Sequence, residues 1–398
     1  MDLLDKFEAL AARQAELGGD GTDPTRVEME RLVSATEAII GGRPTILAGT
    51  NNYLGLTFDP ECIAAGQAAL AEFGTGTTGS RMANGNYQGH AALERELAEF
   101  HDMPYAMVFS TGYSANLGTL AALLEPGDCV LLDADAHASL YDGCRMSGAD
   151  VYRFKHNDPD SLDKRLRRLG ERAVRALVVT EGLFSVLGDK APLAEMAAVK
   201  ARYGAYLFVD EAHSLGIYGE HGRGVAEEAG VLQEVDFVVG TFSKSLGATG
   251  GYCVSPHEAL NRFRFASRPY IFTASPCPSV VATTRVALQH IRRRPELKAR
   301  VWRNARALYQ GLGDLGLRLG PQVSPVVAVR FAAKDQALAG WRRLLELGVY
   351  TNLMLPPASP DGSSLLRCSA SAAHTDEQID AIITAFSQAV PVALTETA

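Results

Sequence analysis

Lys244 stands in GTFSKSLGATGG (240–251), 34 residues after Asp210 in YLFVDEAHSLG (206–216). A lysine among small and hydroxylated residues can form a Schiff base with pyridoxal 5'-phosphate (PLP). An aspartate ending an apolar strand can keep the pyridine nitrogen of that cofactor protonated. The pair predicts a PLP enzyme. Reading Lys244 as a surface lysine leaves unexplained why it follows directly on the apolar run FVVG (237–240).

PLP asks three things of a chain. Its phosphate takes backbone N–H groups at a helix N-terminus, which Gly112 and Tyr113 in STGYSANLG (110–118) can supply, with the hydroxyls of Thr241 and Ser243 adding contacts. Its ring nitrogen takes Asp210. Its ring takes a flat neighbour, and His137, after CVLLDAD (129–135), can stack on it. Alone, this histidine reads as a core or capping residue; the set points to stacking. His213 follows the same run as Asp210, and Glu181 and Ser185 follow ALVVT (176–180). In open parallel sheets ligands gather beyond the carboxyl ends of the strands, and these residues all fall there. Arg367, in LLRCS (365–369), is a cation inside an apolar strand, where an unpaired charge is costly. It must meet a carboxylate, either that of a substrate or one within the protein.

An α/β fold has to position these residues. From about Ile46 the runs AMVFS, CVLLDA, ALVVTEG, YLFVDEA and FVVGTFS alternate with helical segments, predicting a mostly parallel sheet covered on both faces. At 398 residues the chain exceeds what one core usually serves. The pattern predicts an N-terminal helical arm over 1–45, its first ~18 residues an amphipathic helix with Leu3, Leu4, Phe7, Leu10 and Ala11 at helical spacing, followed by the loop GGDGTDPT (18–25), and a large PLP-binding domain over 46–275. A smaller C-terminal α+β domain over 276–398 then contains PVVAVRF (325–331), a helix around Trp341 and LLRCSAS (365–371). The glycine-rich stretch at 73–90 lacks the Lys-Ser/Thr ending of a P-loop and reads as a tight loop near a subunit contact.

The 38 basic and 46 acidic residues leave a net charge of −8, which gives no sign of nucleic-acid binding. The basic run KRLRRLGERAVR (164–175) reads as a solvated helix face. Six cysteines without Cys-x-x-Cys or metal-like spacing read as buried free thiols in a reducing compartment, with no metal site. The N-terminus lacks the apolar core of a signal peptide, and the most apolar long stretch, 106–124, carries two glycines and several polar groups. A soluble cytoplasmic protein is expected.

The stretches NNYLGL (51–56), GSRMANG (79–85), FSTGYSAN (109–116), DADAHASLYDG (133–143), EGLFSVLGD (181–189), VDEAHSLGIYGEHGRG (209–224) and GTFSKSLGATGGY (240–252) occur in this order. Together they resemble the α-oxoamine synthase family of PLP enzymes, which share the fold type I aminotransferase architecture. The resemblance runs from about residue 20 to 390 and implies condensation of an amino acid with an acyl-CoA with loss of CO2. RPYIFTAS (268–275) and LLRCS resemble most the soluble homodimeric bacterial members that make 3-oxosphinganine from L-serine and a long-chain acyl-CoA, the first step of sphingolipid synthesis. Other members pair L-alanine with a pimeloyl thioester or glycine with acetyl-CoA, and heteromeric relatives contain a non-catalytic partner subunit.

Carried over residue by residue, the resemblance implies four catalytic residues. Lys244 is the Schiff-base lysine, Asp210 the partner of the pyridine nitrogen, and His213 a contact to the PLP phenolic oxygen. His137 stacks on the ring and bonds the substrate carboxylate. Gly112, Tyr113, Ser185 and Thr241 hold the cofactor, and Thr273 reaches the phosphate of the other subunit. Arg367 receives the substrate carboxylate, and Asn52 comes from the partner chain. A homodimer with shared active sites follows, and peripheral membrane contact accords with a long-chain product. Those bacterial members carry Tyr-Asn-Tyr where this chain has Asn51-Asn52-Tyr53, and PPASP (356–360) resembles their mobile Pro-Ala-Thr-Pro loop, with Ser359 in place of threonine.

Overall fold

The structure, a computed structural model, describes residues 2–19, 21–356, 358–359 and 362–390. Pro357 and Pro360 of the PPASP loop therefore lie outside the described residues. Internal contacts divide the chain into two units, one of residues 51–185 and 189–302 and the other of 1–50, 186–188 and 303–398.

The first unit is built on one sheet of seven strands: β1 (Tyr105–Phe109), β2 (Cys129–Asp133), β3 (Asp150–Phe154), β4 (Ala176–Glu181), β5 (Tyr206–Asp210), β6 (Phe237–Thr241) and β7 (Gly251–Ser255). Their order is β1-β7-β6-β5-β4-β2-β3. Neighbours from β6 to β3 run parallel, and β7 is antiparallel to both β6 and β1. Every residue of β2, β4 and β6 is buried. That is why these strands read as continuous apolar runs, since a parallel sheet is covered on both faces.

The helices that matter for the site are α1 (Pro60–Phe73), α2 (Gly112–Leu123), α3 (Ala138–Ser147) and α4 (Pro278–Arg293). A capping box starts α2 close behind β1: Thr111 Oγ1 accepts the Ser114 N–H and Ser114 Oγ accepts the Thr111 N–H, both at 3.0 Å. The first turn of α2 is thereby pinned at the sheet edge. His137 caps α3, its ring accepting the Ser139 N–H.

The contact boundary falls well beyond the residue 275 suggested by the sequence. Helix α4 packs on α1, with Thr283 Oγ1 donating to the Cys62 carbonyl at 3.2 Å and Gly66 leaving the room for that hydroxyl. Asp59, the N-cap of α1, also binds Arg294 at 2.7 Å and His290 at 3.1 Å. Helical periodicity alone carries no sign of which neighbour a stripe will bury against. Within the same unit, the glycine-rich stretch is anchored by Arg81, which forms a fork with buried Glu94 at 2.9 and 3.1 Å. Arg264 grips the same carboxylate at 3.0 Å.

His156 fastens the segment after β4 to the end of β2. Its Nδ1 meets Asp133 Oδ1 at 2.9 Å and its Nε2 meets Asp189 Oδ2 at 2.6 Å, with Phe184 edge-on at 4.4 Å. Burial alone would depress its pKa, but the bonds and charges of Asp133 and Asp189 overcome this and push it up to about 10. In an unfolded chain it would titrate near ~6.5. The folded value is the higher one, so this stabilisation is complete below about pH 6.5 and is lost as pH rises towards 10. His156→Asn should therefore cost the most stability near pH 6 and the least near pH 10, read by denaturant titrations of both proteins. A gap independent of pH would contradict this.

The second unit holds two small sheets. In the first, Glu37–Ile40 pairs antiparallel with Arg43–Leu47 around Gly41 and Gly42, Arg31–Leu32 joins Glu37–Ile40, and Val349–Tyr350 runs parallel to Arg43–Leu47. The expected N-terminal helix is present as Glu8–Gly18, but the later part of the arm holds the strands Arg31–Leu32, Glu37–Ile40 and Arg43–Leu47, which the helical reading of 1–45 did not include. The reason is local. Gly41 and Gly42 have φ of 56° and 71°, the conformation of a two-residue hairpin turn that tolerates glycine at both places. In the second sheet Ser364–Ser369 lies between Val326–Phe331 and Asn352–Met354, all antiparallel. Leu308, Leu312, Phe331, Trp341, Leu366 and Phe386 are in this unit's core. Cys277 is half-buried and the other cysteines are buried, all free. No described helix is long and apolar enough to cross a membrane.

Candidate active site

A cavity of about 280 Å³ opens beyond the carboxyl ends of β4, β5 and β6, next to the first turn of α2. Nine residues singled out from the sequence line it: Gly112, Tyr113, His137, Glu181, Asp210, His213, Thr241, Ser243 and Lys244. They come from three strand ends and two helix starts, which the parallel topology brings to one edge.

Asp210 terminates β5 and is 5% exposed. Its Oδ1 accepts the Ala212 N–H at 2.9 Å, and its Oδ2 accepts Asn116 Nδ2 at 2.6 Å. Glu181 ends β4 in register with Asp210. Burial and then the neighbouring Asp210 charge push the Glu181 pKa well above the usual carboxylate range, although Lys244 opposes them. The Glu181 carboxylate accepts the His137 backbone N–H at 2.7 Å. The His137 pKa is lowered, by burial first and by the Lys244 charge as well, against the pull of Asp210. His213 is held by Tyr53, whose hydroxyl lies 2.7 Å from its Nδ1.

The opposite end of the cavity is a cradle for an anion. Gly112 opens α2, and a Cβ there would stand 2.8 Å from Thr241 Cβ and Oγ1, so only glycine lets the helix start approach β6. Thr241 Oγ1 lies 2.9 Å from Ser243 Oγ. Tyr113 is hydrogen-bonded through its hydroxyl to Asp142. A helix N-terminus with hydroxyls at one end and a buried carboxylate at the other, with a lysine between strand and loop, is a donor set that fits PLP: phosphate, basic ring nitrogen and aldehyde each find a counterpart.

Four further candidates are not among the residues lining this cavity. Ser185 is half-buried beyond β4, and Thr273 is exposed. Asn52 is buried and donates Nδ2 to Thr57 Oγ1 at 2.7 Å. Arg367 is 5% exposed on the middle strand of the three-stranded sheet of the second unit. Two residues that sequence reasoning gave no role do belong to the site: Asn116 lies one helical turn after Gly112, and Ser139 lies two residues after His137. The available signal was the i to i+4 spacing from a phosphate-type helix start.

Residues 43–386 match the family model of aminotransferase class I and II. The chain belongs to this family. Within it the chain is an α-oxoamine synthase type member, as its similarity to the following proteins shows. It is 54% identical over 388 residues to a serine palmitoyltransferase of Caulobacter vibrioides, covering 98% of this chain and 96% of the relative. The solved serine palmitoyltransferase of Sphingomonas wittichii superposes with a TM-score of 0.95 at 52% identity, over 98% of both chains. A serine palmitoyltransferase variant from S. paucimobilis with a bound PLP–myriocin aldimine gives a TM-score of 0.95 at 49% identity, again over 98% of each chain. The mostly parallel sheet with a second, smaller unit is the architecture of this family.

Proposed function

We infer that this chain is a PLP-dependent serine C-palmitoyltransferase, condensing L-serine with a long-chain acyl-CoA to give 3-oxosphinganine, CO2 and CoA. One observation carries the reading: Lys244, Asp210, His137 and His213 converge on one cavity in a chain 54% identical, almost end to end, to a serine palmitoyltransferase. Bound PLP supplies an electron sink for the carbanion that proton loss or decarboxylation leaves at the serine α-carbon.

The roles of these residues are those the family resemblance implies, and their convergence on one cavity supports them. Asp210 holds the ring nitrogen protonated, and two N–H donors hold Asp210. Gly112, Tyr113, Thr241 and Ser243 hold the phosphate end. Lys244 anchors the cofactor, and its Nζ takes the α-proton and returns one after CO2 has left. His137 would stack on the ring and bond the serine carboxylate, restraining loss of the α-proton until the acyl-CoA is in place. His213 contacts the cofactor's phenolic oxygen. Ser185, Thr273, Asn52 and Arg367 enter the proposal from the family resemblance: Ser185 with the cofactor, Arg367 with the substrate carboxylate, and Asn52 and Thr273 across a homodimer interface.

The test is thiol release by the purified, PLP-loaded protein with L-serine, L-alanine or glycine against palmitoyl-, pimeloyl- or acetyl-CoA. Release with serine and the long chain is expected. Release with only another pair would keep the reaction type and overturn the substrates.

A further inference from the structure

We propose that Asn116, whose amide donates both to Asp210 and to Ser139, and Ser139, which passes a donor on to His137, together fix His137 as the tautomer protonated on Nε2. Asn116 is 3% exposed and Ser139 1%. A carboxylate only accepts, so the group that Asn116 presents to Asp210 Oδ2 at 2.6 Å must be its amide NH2. Turning the amide over would set its carbonyl oxygen against the carboxylate. The second N–H of that NH2 goes to Ser139 Oγ at 2.9 Å. Having accepted there, the Ser139 hydroxyl gives its own proton to His137 Nδ1 at 2.8 Å. The Ser139 backbone N–H, which can only donate, reaches the same Nδ1 at 3.2 Å. Two donors on Nδ1 leave no place for a proton there, so the ring hydrogen sits on Nε2.

The consequence bears on the reaction, and in this it rests on the proposed function. His137 offers the cavity an N–H donor, as a substrate carboxylate needs, and its basic lone pair is engaged by Ser139. Proton abstraction therefore falls to Lys244. The anchor is double, because Glu181 holds the His137 backbone N–H while Ser139 holds the ring. Asn116 and Ser139 are positioning residues: they act on substrate only through His137, and the same amide that sets the tautomer also orients Asp210.

The tautomer is read directly by long-range 15N–1H correlation NMR of the PLP-loaded protein labelled with [15N]histidine, with His137→Gln assigning the signal. A pyridine-like Nδ1 and a pyrrole-like Nε2 are expected without any substrate, so this outcome is independent of whether serine is the amino acid. A pyrrole-like Nδ1 at neutral pH would overturn the proposal, even if no relay variant folds. Ser139→Ala should mix the two tautomers and raise the KM for L-serine roughly 3–10-fold with kcat little changed, the size expected for one lost hydrogen bond. An unchanged tautomer in that variant would remove the side-chain relay.

Discussion

Lys244→Ala is expected to lower serine-dependent CoA release by about 10^4-fold or more. A positioned acid–base group contributes roughly 10^2–10^4 on its own, and the variant also loses the covalent anchor of the cofactor. The chain itself should remain folded, because Lys244 is half-buried in a loop at the cavity and the apolar strand β6 ahead of it is untouched. Thiol release measured beside a thermal melt separates the two effects. Lys244→Arg should fail as well, since a guanidinium stays protonated and cannot serve as the base. Substantial CoA release by the alanine variant would remove Lys244 from the chemistry.

Asp210→Asn should be nearly as damaging while leaving the outline of the site intact. The asparagine keeps the shape and can still accept the Ala212 N–H that now bonds Oδ1 at 2.9 Å. What is lost is the charge that holds the ring nitrogen protonated, together with the acceptor that Oδ2 now offers Asn116 at 2.6 Å. Breaking a buried charge pair costs about 3–5 kcal/mol, which converts to roughly 10^2–10^4-fold in rate. Stability should change little, because removing the Asp210 charge relieves its repulsion of the adjoining buried Glu181 while the Asn116 amide loses its buried acceptor. Steady-state kinetics with PLP in excess, together with a melt, test both halves. A loss of less than about tenfold in kcat would show that the ring nitrogen needs no charged partner here.

Much of this site could be read from the chain because its residues sit where apolar runs stop. Asp210, Thr241 and Lys244 each follow a run that a parallel sheet buries on both faces, and the sheet then brings those ends together without further information. Asn116 and Ser139 escaped notice because nothing in an asparagine or serine within a helix marks it as polar core; only the α2–α3 packing turns them towards Asp210 and His137. The N-terminal strands escaped because they are only two to five residues long and the Gly41–Gly42 pair is their one turn signal. The position of α4 was hidden for another reason: its apolar stripe suits any partner, and Thr283 meeting the Cys62 carbonyl is a tertiary fact.

The central claim is that this cavity joins the serine α-carbon to an acyl group and discards the serine carboxyl carbon. Incubating the PLP-loaded protein with [1-13C]-L-serine and palmitoyl-CoA, and following 13CO2, CoA and the long-chain product together by mass spectrometry, tests it most directly. Equal yields of 13CO2, CoA and unlabelled 3-oxosphinganine are predicted. Retention of the label in the condensed product, or a 2-oxo acid formed without CoA release, would contradict the account.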